Sequence, residues 1–177
     1  MQWTRSGFPP PLKFRAQASA GKVMATIFWD MKGVIHIDYM PRKTTINGQY
    51  YGELLERLRN SIQQKRRGMW KRGVLLLHDN APSHRSDVAQ AALCELGFDK
   101  LPHPPYSPDL APSDYYLFRH LKAHMKGKRF QDDEDVKREA EAWLEGQPED
   151  WFKTGILMLR RRYEKCIGLG GGYVEKE

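Results

Sequence analysis

Val74–Leu77 is a run of four apolar residues that ends abruptly on His78-Asp79. A stretch so short and so wholly apolar suits a strand buried on both faces, the kind found in the middle of a layered α/β sheet. The acid at its end then lies at the carboxyl end of a strand, where open α/β sheets place their ligands.

Around this run the hydrophobic period changes repeatedly. Val23–Trp29 and Val34–Tyr39 are β-branched and aromatic, and Asp30-Met31-Lys32-Gly33 between them has turn chemistry, so a β-hairpin is expected. From Thr44 to Lys65 the period lengthens to that of a helix, with Leu54, Leu58 and Ile62 on a face that Tyr51 and Leu55 extend. A helix is expected over Ser83–Leu96, with Val88, Ala92 and Leu96 inward and Gly97 as its stop. Lys100–His103 reads as a short strand, and the prolines of Pro104–Pro112 require an ordered or extended loop. Pro112-Ser113 opens a further helix with Leu117, Leu121 and Met125 on its core face. Asp132–Glu145 begins with acids in its first turn and buries Val136, Ala140 and Trp143. Trp151–Ile167 completes the set, with Phe152, Ile156, Leu159 and Tyr163 inward. Pro9-Pro10-Pro11 forbids a helix near the start, so residues 1–22 read as an extended arm or loop and 23–177 as one domain. The order of elements argues for an α/β domain with helices added at its carboxy-terminal end.

Charge narrows the partners. Residues 1–72 carry 14 Lys and Arg against 4 Asp and Glu, while residues 73–177 carry 15 against 18. A basic half suits a polyanion, because neutralising phosphates releases their condensed counterions. Lys65, Arg66, Arg67, Lys71 and Arg72 form the densest cluster, which reads equally as a phosphate-binding or nuclear-localisation patch and as a solvated loop. No run approaches the ~18 apolar residues of a membrane helix, so no membrane partner is expected. Cys94 and Cys166 are too few for a disulfide framework and are expected to be reduced thiols.

Two acids stand out by position. Asp79 ends the apolar run, and Asp114 sits in the first turn of a helix behind the proline-rich loop, with 34 residues between the two. A strand, a helix and a loop fit that interval, so the two carboxylates can converge. Hard oxygen ligands of this kind suit Mg²⁺ or Mn²⁺, and paired ions activate and stabilise oxygens in phosphodiester chemistry. An acid in a first helical turn also serves the helix dipole, and an Asp after a strand also serves a turn. Position alone leaves both readings open.

The segments GVLLLHDNAPSH (73–84) and LPHPPYSPDLAPSDYYLF (101–118) closely resemble the catalytic core of mariner-type transposases. In that family His-Asp-Asn follows an apolar strand, Tyr-Ser-Pro-Asp-Leu-Ala-Pro-x-Asp opens a helix, and the same interval separates the second and third catalytic aspartates. Val23–Asp38, Trp151-Phe152 and Tyr163–Ile167 are similar to the family's hairpin and terminal helices. The resemblance implies an RNase H-like mixed sheet with flanking helices that cuts and joins DNA with Mg²⁺ or Mn²⁺. It implies that Asp79 and Asp114 are the second and third metal-binding catalytic residues. It also implies that these residues start beyond the first, central strand and its aspartate. Neither Asp30 nor Asp38 is a credible replacement. The expectations are therefore a gapped sheet, weak metal binding, catalytic incompleteness, DNA as partner, and a homodimer or strand-donating chain as a second partner. A nuclear location follows. The competing readings are a sequence-independent DNA-binding module without chemistry and a non-functional transposon relic.

Overall fold

A computed structural model describes residues 22–42 and 44–174. The expected arm at 1–22 lies, apart from Lys22, outside the described residues. Strands β1 (Ala25–Asp30) and β2 (Gly33–Tyr39) form the antiparallel hairpin. Its turn closes because Asp30 Oδ1 accepts a hydrogen bond from the Lys32 backbone N–H at 2.9 Å, and Gly33 takes φ +124°, which a side chain would oppose. Phe28 pairs with His36 and Trp29 with Val34, so Ile35 is the extra residue of a bulge in β2.

Helix α1 (Gly48–Lys65) starts where the Asn47 side chain accepts from the Tyr50 N–H. It buries Tyr51, Leu54, Leu55, Leu58 and Ile62, the face that periodicity marks. Strand β3 (Val74–Leu76) pairs in parallel with β4 (Phe98–Lys100), which arrives slightly earlier than the expected Lys100–His103. Between them the expected single helix is two. Ser86 is extended (φ −62°, ψ 149°), so α2 (Pro82–Arg85) stops there, and the Ser86 side chain caps α3 (Asp87–Leu96) by accepting from the Ala89 N–H. That break turns the inner face. Ala89 and Leu93 are buried, with Ala92 and Leu96 partly so, while the expected core residue Val88 is 56% exposed.

Past a single 3₁₀ turn at Pro108–Leu110 the chain enters a π turn at Ser113–Leu117, where the Phe118 N–H donates to the Ser113 carbonyl. Helices α4 (Phe118–Met125), α5 (Asp133–Glu145) and α6 (Glu149–Gly168) follow. On α5 the buried residues are Ala140 and Leu144. Val136 and Trp143, both expected to be buried, are only partly covered.

Two cores result. One packs α1 and α3 against β3, β4 and Ile35. The other joins Ile27, Leu117 and Leu144, with Trp29, Val34, Ile37, Trp143 and Trp151 around them. The hairpin is thus covered on both faces, by α1 and by the terminal helices. The pair β3–β4 is covered on one. Leu76 is buried but Leu75 is 62% exposed, which corrects the expectation of a strand buried on both sides. The cause is that α4, α5 and α6 gather at the hairpin and leave the Leu75 face bare among the described residues. Among the described residues the two strand pairs form separate two-stranded sheets with no ladder between them.

Candidate active site

Asp79 leaves the end of β3 on a turn that its own side chain closes. Its Oδ1 accepts from the Ala81 N–H at 3.0 Å and lies 2.7 Å from His84 Nδ1. Oδ2 has no hydrogen-bond partner among the described residues, and the side chain is exposed. Beneath it three rings are layered. His84 stacks on His78 with centroids 5.0 Å apart and planes 2° from parallel, and Tyr51 lies 4.0 Å from His84. The buried Tyr51 hydroxyl is 2.6 Å from His78 Nδ1. Burial, then the charges of His84 and Lys100, push the His78 ring down to about 4, so it is neutral near neutral pH. Burial, then the Asp79 charge, hold the Tyr51 hydroxyl above its ordinary range. A protonated tyrosine donating to the unprotonated Nδ1 of a neutral histidine satisfies the hydroxyl and Nδ1, and leaves the His78 proton on Nε2, which is buried without a hydrogen-bond partner among the described residues.

Asp114 approaches from the opposite side of the sequence. The Asn80 side chain donates to the His103 carbonyl at 2.8 Å, tying the Asp79 turn to the start of the proline-rich loop. At the loop's far end Asp114 occupies the π turn, and its backbone N–H donates to Ala111. Trp29 Nε1 donates to Ser113 Oγ at 3.1 Å, so the first hairpin strand braces the same turn. The Asp114 carboxyl is held above the ordinary carboxylate range, first by burial and next by the negative charge of Asp79, with Lys122 and His103 opposing. The Asp79 charge therefore acts on Asp114. Oxygen donors in mutual repulsion fit a hard divalent cation. No group of three or more candidate ligands occurs among the described residues.

The two aspartates of the basic half, Asp30 and Asp38, are engaged elsewhere. Asp30 takes both Arg66 Nε (2.8 Å) and Arg66 Nη2 (2.9 Å), and Asp38 is held by Tyr50 and by Arg57 at 3.2 Å. Arg66 thus pins the hairpin turn to the end of α1. Lys65, Arg67, Lys71 and Arg72 are exposed. Cys94 and Cys166 are free, as expected.

His84, which holds Asp79, is not singled out by the sequence. The signal was a histidine five residues past the acid on a proline-started turn. Gly155 is not singled out either. Helix α6 crosses the π turn so closely that a Cβ at Gly155 would lie 2.4 Å from the Tyr116 ring, and the Tyr115 hydroxyl donates to the Gly155 carbonyl at 2.8 Å. Gly155→Ala is expected to cost roughly 1–2 kcal/mol, as overpacking does, in urea unfolding. A variant as stable as the parent would contradict this packing.

A family model described as "Transposase (partial DDE domain)" matches residues 1–72. Over 171 residues the chain is 37% identical to the mariner Mos1 transposase of Drosophila mauritiana, covering 96% of this chain and 50% of that protein. It is 37% identical over 155 residues to the Homo sapiens histone-lysine N-methyltransferase SETMAR, covering 87% of this chain and 23% of that protein. The chain spans half or less of the length of these two relatives. Among solved structures, the Mos1 catalytic domain with raltegravir and Mn superposes with a TM-score of 0.83 at 37% identity, over 86% of this chain and 78% of that one. The Mos1 paired-end complex with the left transposon end gives 0.84 at 34% identity, over 99% of this chain and 51% of that one. The architecture is accordingly an RNase H-like catalytic-domain fold. The chain belongs to the mariner transposase family, within which it matches the catalytic domain.

Proposed function

We propose that this domain, residues 23–177, is the metal-dependent DNA-cutting core of a mariner transposase, with Asp79 and Asp114 as two of its metal-binding catalytic carboxylates. The observation that carries this is the likeness to the Mos1 catalytic domain, 37% identical with a TM-score of 0.83, and the Asp79 charge that acts on Asp114 is consistent with it. Mg²⁺ or Mn²⁺ held there would activate the attacking oxygen and stabilise the leaving one. The chain's own part is to orient the ligands. His84 and the Ala81 N–H fix one oxygen of Asp79, and the π turn presents Asp114 from the facing side. Mos1 structures with Mn and with Mg support the choice of ion, and the Mos1 complex with a transposon end supports DNA as the partner.

These 177 residues alone do not complete the reaction in this reading. Asp30 and Asp38 are tied up by Arg66, Tyr50 and Arg57, so neither serves as a third carboxylate, and the pair binds metal weakly. A strand supplied by a second chain or by a longer form of this one fits the seam between β1 and β3. The function implies a nuclear protein. The purified chain is expected to leave transposon-end duplex uncut in Mg²⁺ or Mn²⁺, and to bind Mn²⁺ in a manner that Asp114→Ala abolishes. Metal-dependent nicking lost in Asp79→Ala would overturn the incompleteness, and Mn²⁺ binding indifferent to both acids would overturn the site.

The second reading, DNA binding without chemistry, rests on the exposed cations Lys65, Arg67, Lys71 and Arg72. Arg66 belongs to the same cluster, but its ion pair with Asp30 commits it to the hairpin. Duplex binding should be weak, indifferent to sequence and steeply salt-dependent. Replacing the four exposed cations by Ala should lower the slope of log K against log salt by about 3–4, on the scale of roughly 0.9 per phosphate neutralised. An unchanged slope would remove this patch from the interface.

A further inference from the structure

Asp109 is an acid that the proposed chemistry does not use, yet it is 5% exposed. An acid is kept this deep only when it is paired or hydrogen-bonded. Its Oδ2 accepts from the Val174 backbone N–H at 2.8 Å, and its carbonyl accepts from Arg162 Nη1 at 3.1 Å. Arg162 is 7% exposed and Val174 2%, so the whole contact is buried. The Arg162 guanidinium also lies over the Tyr115 ring, 4.2 Å from its centroid. One arginine of α6 therefore grips the chain on both sides of Asp114, at Asp109 before it and at Tyr115 after it. Around those grips the backbone is bonded to itself at four points. Leu110 donates to Ser107, Ala111 to Pro108, and Asp114 and Tyr115 both to Ala111. The Tyr115 hydroxyl adds its bond to Gly155 of the same helix.

We propose that Asp109, Arg162 and the Val174 amide form a buried latch by which the chain's carboxy-terminal segment positions Asp114 for metal binding opposite Asp79. Asp109 and Arg162 are positioning residues and touch no reacting atom. The inference rests on the reading of Asp79 and Asp114 as a metal pair. Residues that orient metal ligands typically matter for affinity about 10- to 100-fold when removed, without contributing a ligand atom.

The test uses the full 177-residue chain and two readouts, hydrogen exchange over Ser107–Leu117 with α1 as internal control, and Mn²⁺ binding followed by electron paramagnetic resonance. Asp109→Ala removes the latch from its centre. Val174→Pro removes the same bond from its other end, because proline has no N–H, and stands in if Asp109→Ala does not fold. Asp109→Asn keeps an acceptor for the Val174 amide and is the rescue. The expected result is faster exchange in Ser107–Leu117 with α1 unchanged, and a Kd for Mn²⁺ raised at least about tenfold, both restored in Asp109→Asn. Unchanged exchange in both disrupting variants overturns the latch. Faster exchange with unchanged Mn²⁺ affinity makes the contact merely structural and overturns the positioning role. If Mn²⁺ binding to the parent chain does not depend on Asp114, the reading of the site fails and takes this inference with it. That outcome is distinct from the other two, in which parent binding depends on Asp114.

Discussion

Supplying a β-strand between β1 and β3, as a peptide or by fusion ahead of residue 1, is expected to sharpen thermal unfolding and add about 3–5 kcal/mol to stability. The motive is that, among the described residues, the sheet is split into two two-stranded pieces that share helices but no ladder. Each new cross-strand pair is worth roughly 0.2–1 kcal/mol, and a central strand makes such pairs along two edges. Against a whole-domain stability of ~5–15 kcal/mol the gain is large. The bare 177-residue chain should unfold over a broad range and bind an apolar dye. The strand should suppress dye binding, as the unpaired edges and the exposed Leu75 side become covered. Cooperative melting at high temperature with no response to the strand would sink this account of the gap.

Acid is expected to destabilise the domain through His78. Its ring is pushed from the ordinary 6.5 down to about 4, by burial first and the charges around it second. As pH falls through 6.5 the unfolded chain takes up a proton that the folded chain refuses until about 4. The stabilisation is thus complete above 6.5 and is lost progressively between 6.5 and about 4, to a limit of about 3 kcal/mol. Burial lowers His36 as well, in the same direction. Asp114 works the other way. Its carboxyl is raised, so the folded state takes up that proton more readily and recovers part of the loss at the acid end. Urea midpoints across this range should fall with pH in the parent. In His78→Gln they should start lower at neutral pH, because the Tyr51 hydroxyl loses its acceptor, and then fall less. A parallel decline in both proteins would show that His78 is not the group responsible.

Much of this could be read before any coordinates. The hairpin followed from β-branched runs around Asp30–Gly33, and the α1 face from Tyr51, Leu54, Leu55, Leu58 and Ile62, because turn chemistry and helical period are local. Asp79 and Asp114 were found by position and by the family motifs around them. What escaped depended on partners distant in sequence. The Arg66 side chain reads as one more cation in a basic run, and only the fold brings Asp30 to it. Leu75 is as apolar as Leu76, and its exposure depends on which side of the sheet the last three helices choose. The break at Ser86 was visible only as a serine three residues before an N–H it could cap. The burial of Asp109 depends on a backbone amide 65 positions away.

The π turn at Ser113–Leu117 has a consequence at the level of the reading frame. A π turn spends one residue more than an α turn, and such turns are rare and tend to mark functional sites. Deleting a single codon within it would leave an ordinary α-helix with better local bonding. It would also rotate Asp114 by about 100° relative to the Leu117 and Leu121 face, one residue's share of a helical turn. Asp79 would then face an empty position, although every acid was still encoded. An in-frame loss of three nucleotides is therefore a route by which this domain can be silenced while becoming locally more regular. A survey for missing aspartates would not detect it.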